Sequence, residues 1–264
     1  MNILAIGNSF SQDATRYLKQ IGDSALTDLY VVNLYIGGCP LERHADNARA
    51  DRAAYAYERG GVPSNRTVSI REALEERPWD VVTVQQASHD SGMPETYEPY
   101  GTELLDYVRR YAPQAKIYFH MTWAYETDST HDAFPRYHRD QQEMYRRICQ
   151  ATEAFTAAHD LPVIPAGKVI QALRQTPEFD YAHGGMSLNR DGFHELGLRP
   201  LCRGGNLVRD ADRRRHPHGA LCPGLRGPGE DRPDPPDGPR NLHQVKNFPC
   251  RLPGRGLLFT GGRR

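Results

Sequence analysis

Three side chains of this 264-residue chain have the types and the settings for nucleophilic acyl transfer: Ser9, Asp191 and His194. Ser9 follows the apolar run Ile3 to Ile6 and the pair Gly7-Asn8, and apolar residues at helical spacing (Ala14, Tyr17, Leu18, Ile21) come next. A serine where a buried strand turns into a helix lies under free N–H groups and the positive end of the helix dipole, which favour developing negative charge. Taken alone, Ser9 serves equally well as a helix cap. Near the far end of the interpretable sequence, Asn189-Arg190-Asp191-Gly192-Phe193-His194 sets a carboxylate three residues before an imidazole. On one turn Asp191 can hold one ring nitrogen of His194 while the other faces away. With Ser9 opposite that nitrogen the three form a Ser-His-Asp triad: His194 takes the serine proton as the hydroxyl attacks an acyl carbon and returns it to the leaving alcohol. Alone, Asp-x-x-His is also an ordinary polar turn.

The elements that must position these residues alternate along the chain. Strand-like apolar runs occur at Ile3 to Ile6, Leu29 to Ile36, Val81 to Val84, Lys116 to His120 and Leu161 to Ile164. Between them, helical patterns cover Asp13 to Ile21, the stretch from Leu41, Ser69 to Glu76, Thr102 to Tyr111, Pro135 to His159 and Ala166 to Arg174. Ser69 with Glu72 has the spacing of a capping box, and Tyr55 to Ile70, broken by Gly60-Gly61 and Pro63, reads as a small hairpin insertion. Five strands separated by helices of this length predict βαβ units: an α/β fold, a three-layer α/β/α sandwich around a parallel sheet of about five strands. Polar blocks fall at the strand ends, where such sheets bind ligands: Gly37-Gly38-Cys39-Pro40, Gln85 to Gly92, and Met121 to Glu126.

Composition excludes several function classes. Lys plus Arg equals Asp plus Glu at 33 each, so nothing calls for nucleic acid or an anionic membrane. No apolar run approaches the roughly 20 residues that span a bilayer, and the first strand begins without a basic or long apolar leader, so the expectation is a cytoplasmic protein with no membrane partner. The five cysteines are far apart and contain no C-x-x-C pair, which reads as unpaired thiols. The eleven histidines show no metal-ligand spacing such as H-E-x-x-H, so neither a metal nor a cofactor is expected.

The blocks Gly7-Asn8-Ser9-Phe10-Ser11, Gly37 to His44, Val84 to His89, Thr122 to Glu126 and Asp191-x-x-His194 together resemble the SGNH (GDSL-like) hydrolases, more closely a little-characterised bacterial branch of that superfamily, over about residues 1–194. The lipase nucleophile elbow Gly-x-Ser-x-Gly is not met, because Ser11 stands at its last position. The resemblance implies Ser9 as nucleophile, with Asp191 and His194 completing the triad. It implies an oxyanion hole from the backbone N–H groups of Ser9 and Gly38 plus a third, side-chain donor. The family places an Asn there, but alignment puts His89 at its position, so that Gln86 or Gln85 is an alternative donor. The Asp usual beside the nucleophile is Asn8 in this chain.

The same resemblance implies a serine esterase acting on small O-acyl esters, O-acetyl groups on carbohydrates among them, with a small-molecule or carbohydrate ester as partner. Trp123, Tyr125, Tyr97 and Tyr100 lie in segments that could line such a site, or pack the core. A carbohydrate-binding or scaffold protein with weakened catalysis is the alternative, favoured by His89. After His194 the composition changes. The stretch 195–264 has no Ser, Ile, Trp, Tyr or Met, half of the chain's 20 Pro and 24 Gly, and thirteen Arg against one Lys. Such a stretch cannot bury a core and reads as a disordered tail. It is also what an out-of-frame reading of GC-rich DNA produces, in which case the final helix of the 1–194 domain is missing and apolar surface is left bare.

Overall fold

The computed structural model describes residues 1–195; the expected tail beyond Glu195 lies outside the described residues. Seven strands form one sheet: β1 (Asn2–Gly7), β2 (Tyr30–Tyr35), β3 (Tyr55–Arg59), β4 (Val62–Val68), β5 (Val81–Val84), β6 (Lys116–His120) and β7 (Val163–Ile164). Their order is β4-β3-β2-β1-β5-β6-β7. β2, β1, β5, β6 and β7 are parallel, the five strands expected. The Tyr55 to Ile70 hairpin is β3 and β4, which add antiparallel to the β2 edge and bring the sheet to seven.

The helices are α1 (Ser9–Thr15), α2 (Leu18–Ser24), α3 (Leu41–Arg49), α4 (Ile70–Glu75), α5 (Tyr100–Tyr111), α6 (Gln141–His159) and α7 (Ala166–Leu173). In β1 the consecutive residues Leu4, Ala5 and Ile6 are all at most 1% exposed, which requires helices on both faces of the sheet. Leu104, Leu105 and Val108 of α5, with Trp79, Phe119 and Phe155, close the core over Leu4, Ile6, Val82 and Val84. Each such aliphatic side chain contributes about 1.5–3 kcal/mol by leaving water.

Two helices differ from the sequence pattern. The expected helix from Asp13 to Ile21 is two helices that break at Tyr17, and Ile21 is exposed. The tip of the β3–β4 hairpin abuts the break: a Cβ on Gly61 would come 2.1 Å from the Arg16 carbonyl oxygen. The expected helix from Pro135 is a 3-10 turn, Phe134–Tyr137, followed by His138 and Arg139 in left-handed conformation. α6 starts only where Asp140 accepts from the N–H groups of Gln142 and Glu143. The capping box of Ser69 and Glu72 forms as expected.

Candidate active site

The parallel strands deliver their polar blocks to one edge. At the end of β1, Asn8 is extended and caps α1: its Oδ1 accepts from Phe10 N–H at 3.0 Å. The cap is therefore Asn8 and not Ser9, which is the first residue of the helix and half-buried. The N–H of a first helical residue has no partner within its helix, so that of Ser9 faces outward with the dipole behind it. The turn is bolted from below. Ser11 Oγ lies 2.6 Å from Asn33 Oδ1, Asn33 donates to Glu58 at 2.8 Å, and Gln12 Nε2 donates to the same carboxylate.

Asp191 and His194 are joined as their spacing predicts. His194 Nδ1 lies 2.7 Å from Asp191 Oδ2, and the His194 and Phe193 N–H groups donate to Asp191 Oδ1 at 2.8 and 3.3 Å. Partial burial pushes the Asp191 carboxyl up, but the hydrogen bonds and charge of His194 outweigh it and hold the group below the usual carboxylate range. An ionised Asp191 accepts the Nδ1 proton and leaves Nε2 as the basic nitrogen.

Neighbours bring this loop to the helix that begins at Ser9. Arg190 pairs with Asp13 of α1 at 3.0 Å, Glu195 N–H donates to Asp13 at 3.1 Å, and the rings of Phe10 and His194 are 6.0 Å apart. No hydrogen bond joins Ser9 Oγ to His194 among the described residues. Across the loop, Trp123 Nε1 donates to the Phe193 carbonyl at 2.8 Å and Glu126 N–H to the Gly192 carbonyl at 2.7 Å.

Gly38 is the third residue of a turn closed by Cys39 N–H to the Ile36 carbonyl at 3.3 Å. Its φ of +60° is what calls for glycine, since a Cβ would meet nothing within 4 Å. The adjacent glutamines point opposite ways, as strand neighbours do. Gln86 accepts from the Leu41 and Ala87 N–H groups at 2.9 and 2.8 Å and donates to Thr96. Gln85 donates to Asn8 Oδ1 at 2.8 Å and faces His120 with its oxygen. His89 is half-buried, with Nε2 3.3 Å from Asp90 Oδ2. Burial raises the Asp90 carboxyl, but hydrogen bonds from His89 and Arg136 hold it low.

Of the four aromatics, Trp123 (2% exposed) stacks on Phe10 at 4.3 Å between α1 and the His194 loop. Tyr125 is fully buried, bonded to Ser88 Oγ, and Tyr97 belongs to the core, its ring against Phe119 and Phe155. Tyr100 reaches Glu42 at the surface.

Sequence reasoning missed His131 and Arg174, and took Glu126 only as the last residue of a strand-end block. The His131 ring lies 4.8 Å from that of Phe193 and 4.6 Å from that of Tyr125; burial lowers its pKa, and the charges of His89 and His194 lower it further. Arg174 and Glu126 form a buried pair beneath the loop: Arg174 donates to the Ala124 carbonyl at 3.0 Å and to Asn189 Oδ1 at 2.6 Å, with Nε 3.6 Å from Glu126. Lone charged residues carry no spacing signal that would have found them. Among the described residues no group of three His, Cys, Asp or Glu side chains could hold a metal ion, and no helix is long and apolar enough to cross a membrane. Cys39 and Cys149 are buried, and the other three cysteines lie outside the described residues.

The mostly parallel sheet flanked by helices is an SGNH-like fold, and comparison with solved structures agrees. A protein from Slackia heliotrinireducens assigned to the SGNH hydrolases matches with a TM-score of 0.50 at 17% identity, covering 76% of this chain and 92% of its own. The acetyl xylan esterase AlAXEase matches with a TM-score of 0.51 at 11% identity, over 81% of this chain and 98% of its own. These likenesses show the fold. The model of a domain of unknown function, DUF4886, matches residues 2–198. A DUF4886 family protein from Bacteroides uniformis ATCC 8492 is 36% identical, with a TM-score of 0.68 over 74% of this chain and 76% of its own. The chain belongs to the DUF4886 family. No curated protein matches it in sequence.

Proposed function

We propose that this protein is a serine esterase that hydrolyses small O-acyl esters, O-acetyl groups on carbohydrate alcohols among them, through an acyl-enzyme. The observation that carries this reading is the Asp191–His194 pair, closed at 2.7 Å and clamped by Arg190–Asp13 onto the helix that begins at Ser9. His194 Nε2 takes the Ser9 proton as Oγ bonds to the acyl carbon. The tetrahedral oxyanion is received by the N–H groups of Ser9 and Gly38, and collapse expels the alcohol, which takes the proton from His194. Water then repeats the sequence on the acyl-enzyme and releases the acid.

His89 is the third donor in this reading, because both glutamine side chains are committed elsewhere and buried at 1% exposure. The Phe10–Trp123 stack packs between α1 and the His194 loop. The reading as a carbohydrate-binding or scaffold protein rests on His89 replacing the family Asn, and the same assay separates the two. Hydrolysis of p-nitrophenyl acetate should show a burst of nitrophenol, and Ser9→Ala should lower kcat by about 10⁴ or more. Release no faster than that of Ser9→Ala would remove the esterase.

A further inference from the structure

We infer that Gln85 and His120 are positioning residues of this site: through Asn8 they hold the Ser9 turn and the Gly38–Cys39 loop in one register, and this chain is why position 8 is an asparagine. The inference rests on the esterase reading. Its geometry follows from one fixed polarity. Phe10 N–H can only donate, so the Asn8 atom 3.0 Å from it is the oxygen. The other end of the amide, Nδ2, then meets the Cys39 carbonyl at 3.1 Å as a donor. Gln85 Nε2 supplies a second proton to Asn8 Oδ1 at 2.8 Å, which leaves Gln85 Oε1 as an acceptor 2.9 Å from His120 Nδ1. The imidazole must therefore carry its proton on Nδ1.

Asn8, Cys39, Gln85 and His120 are all at most 4% exposed. His120 Nε2 is buried with no hydrogen-bond partner among the described residues, and its ring stands edge-on to Trp123 at 6.3 Å. A second proton there would be an unsatisfied donor in the core, and burial holds the ring's pKa down to about 4. The chain of bonds thus crosses the ends of β6, β5 and β1 to the loop after β2, four neighbours in the sheet. Gly7 leaves it room: a Cβ there would lie 3.0 Å from Gln85 Cδ.

The proposed oxyanion donors, Ser9 N–H and Gly38 N–H, belong to different loops, and the bond from Asn8 to Cys39 is the side-chain tie between them. An aspartate at position 8 would still accept from Phe10 and Gln85 but would set a carboxylate oxygen against the Cys39 carbonyl. Protonation of that aspartate restores a donor. The titratable groups around it are the Cys39 thiol, His120 through Gln85, Glu58 through Asn33 and Ser11, Asp13 with Arg190 further along α1, and His194 across Phe10.

The test measures p-nitrophenyl acetate turnover from pH 5 to 8 for wild type, Asn8→Asp, Gln85→Leu and His120→Asn, with ¹⁵N-imidazole spectra of wild type. Asn8→Asp and Gln85→Leu should lose about 10- to 100-fold in kcat with KM changed less than about threefold. The ratio of Asn8→Asp to wild-type kcat should rise towards pH 5. His120→Asn, whose amide can replace the Nδ1 donor, should keep most of the activity. His120 should be the Nδ1–H tautomer throughout. An Nε2–H tautomer, or Asn8→Asp with wild-type kcat at pH 8, overturns the positioning inference and leaves the esterase standing. A wild-type protein with no Ser9-dependent turnover overturns the esterase reading and the catalytic role with it, while the spectra still report the bond polarity.

Discussion

Two imidazoles sit in the core with no place for a second proton, and they should make this protein labile to mild acid. His44 is fully buried, its Nδ1 2.9 Å from the Tyr55 hydroxyl and its Nε2 without a partner among the described residues; burial pushes its pKa down to about 3. His120 is pushed down to about 4 for the same reason. In the unfolded chain both titrate near 6.5. Because the folded pKa values lie below the unfolded ones, the unfolded form binds more protons as pH falls from about 6.5. The contribution of these two rings is complete above that pH and is lost progressively towards pH 4. Each imidazole then removes about 1.4 kcal/mol per pH unit, or about 4 kcal/mol for the pair at pH 5, against a typical total of 5–15 kcal/mol. Urea unfolding followed by the fluorescence of Trp79 and Trp123 at pH 7.5, 6.5, 5.5 and 5.0 measures the slope directly. His120→Asn keeps the donor to Gln85 and removes one titrating ring, so it should lower the slope between pH 6 and 5 by about 1.4 kcal/mol per pH unit. A slope unchanged in His120→Asn would refute the reasoning, since the variant leaves every other titrating group in place: the lowered carboxylates Asp90, Glu98, Glu143 and Asp191 act at lower pH, His131 adds to the slope, and Glu195, pushed up to about 8 by burial, opposes it.

Gly38→Ala should cost about 1–2 kcal/mol in stability through its φ of +60° and more in kcat than in KM, measured by urea unfolding and ester turnover, because a methyl there meets no neighbour but displaces the N–H. Arg174→Met should destabilise by about 3–5 kcal/mol, since it strands the buried Glu126 carboxylate, and Glu126→Gln in the same background should recover much of the loss in urea unfolding. Resequencing across the His194 codon is expected to find a one-base slip that restores an amphipathic helix in place of the Arg/Pro/Gly-rich stretch; an unambiguous open frame through Arg264 refutes it.

The reach of the sequence is clearest where one side chain's environment is set by its own neighbours. The Ser69–Glu72 box and the Asp191–His194 spacing are local signals, and each produced the predicted geometry because its hydrogen bonds close within the same few residues. The α1–α2 break was not legible: the Gly61 hairpin tip that packs against it comes forty-five residues on from Arg16 in the sequence.

Gln85 and Gln86 show the same limit at the site itself. Both are amides at the end of β5, and composition makes them interchangeable as oxyanion donors. Pleating sends one towards Asn8 and the other towards Leu41 and Thr96, and which goes where depends on the register of β5 against β1, in which Ile6 faces Val84. Once that register is set, the Phe10 N–H fixes the orientation of Asn8, Asn8 fixes Gln85, and Gln85 fixes the tautomer of His120. Asn8, Gln85 and His120, from three separate segments of the sequence, are thus one bonded unit whose members cannot be substituted independently: double variants along it should lose less than the sum of the single ones, as expected when the first substitution has already uncoupled the second.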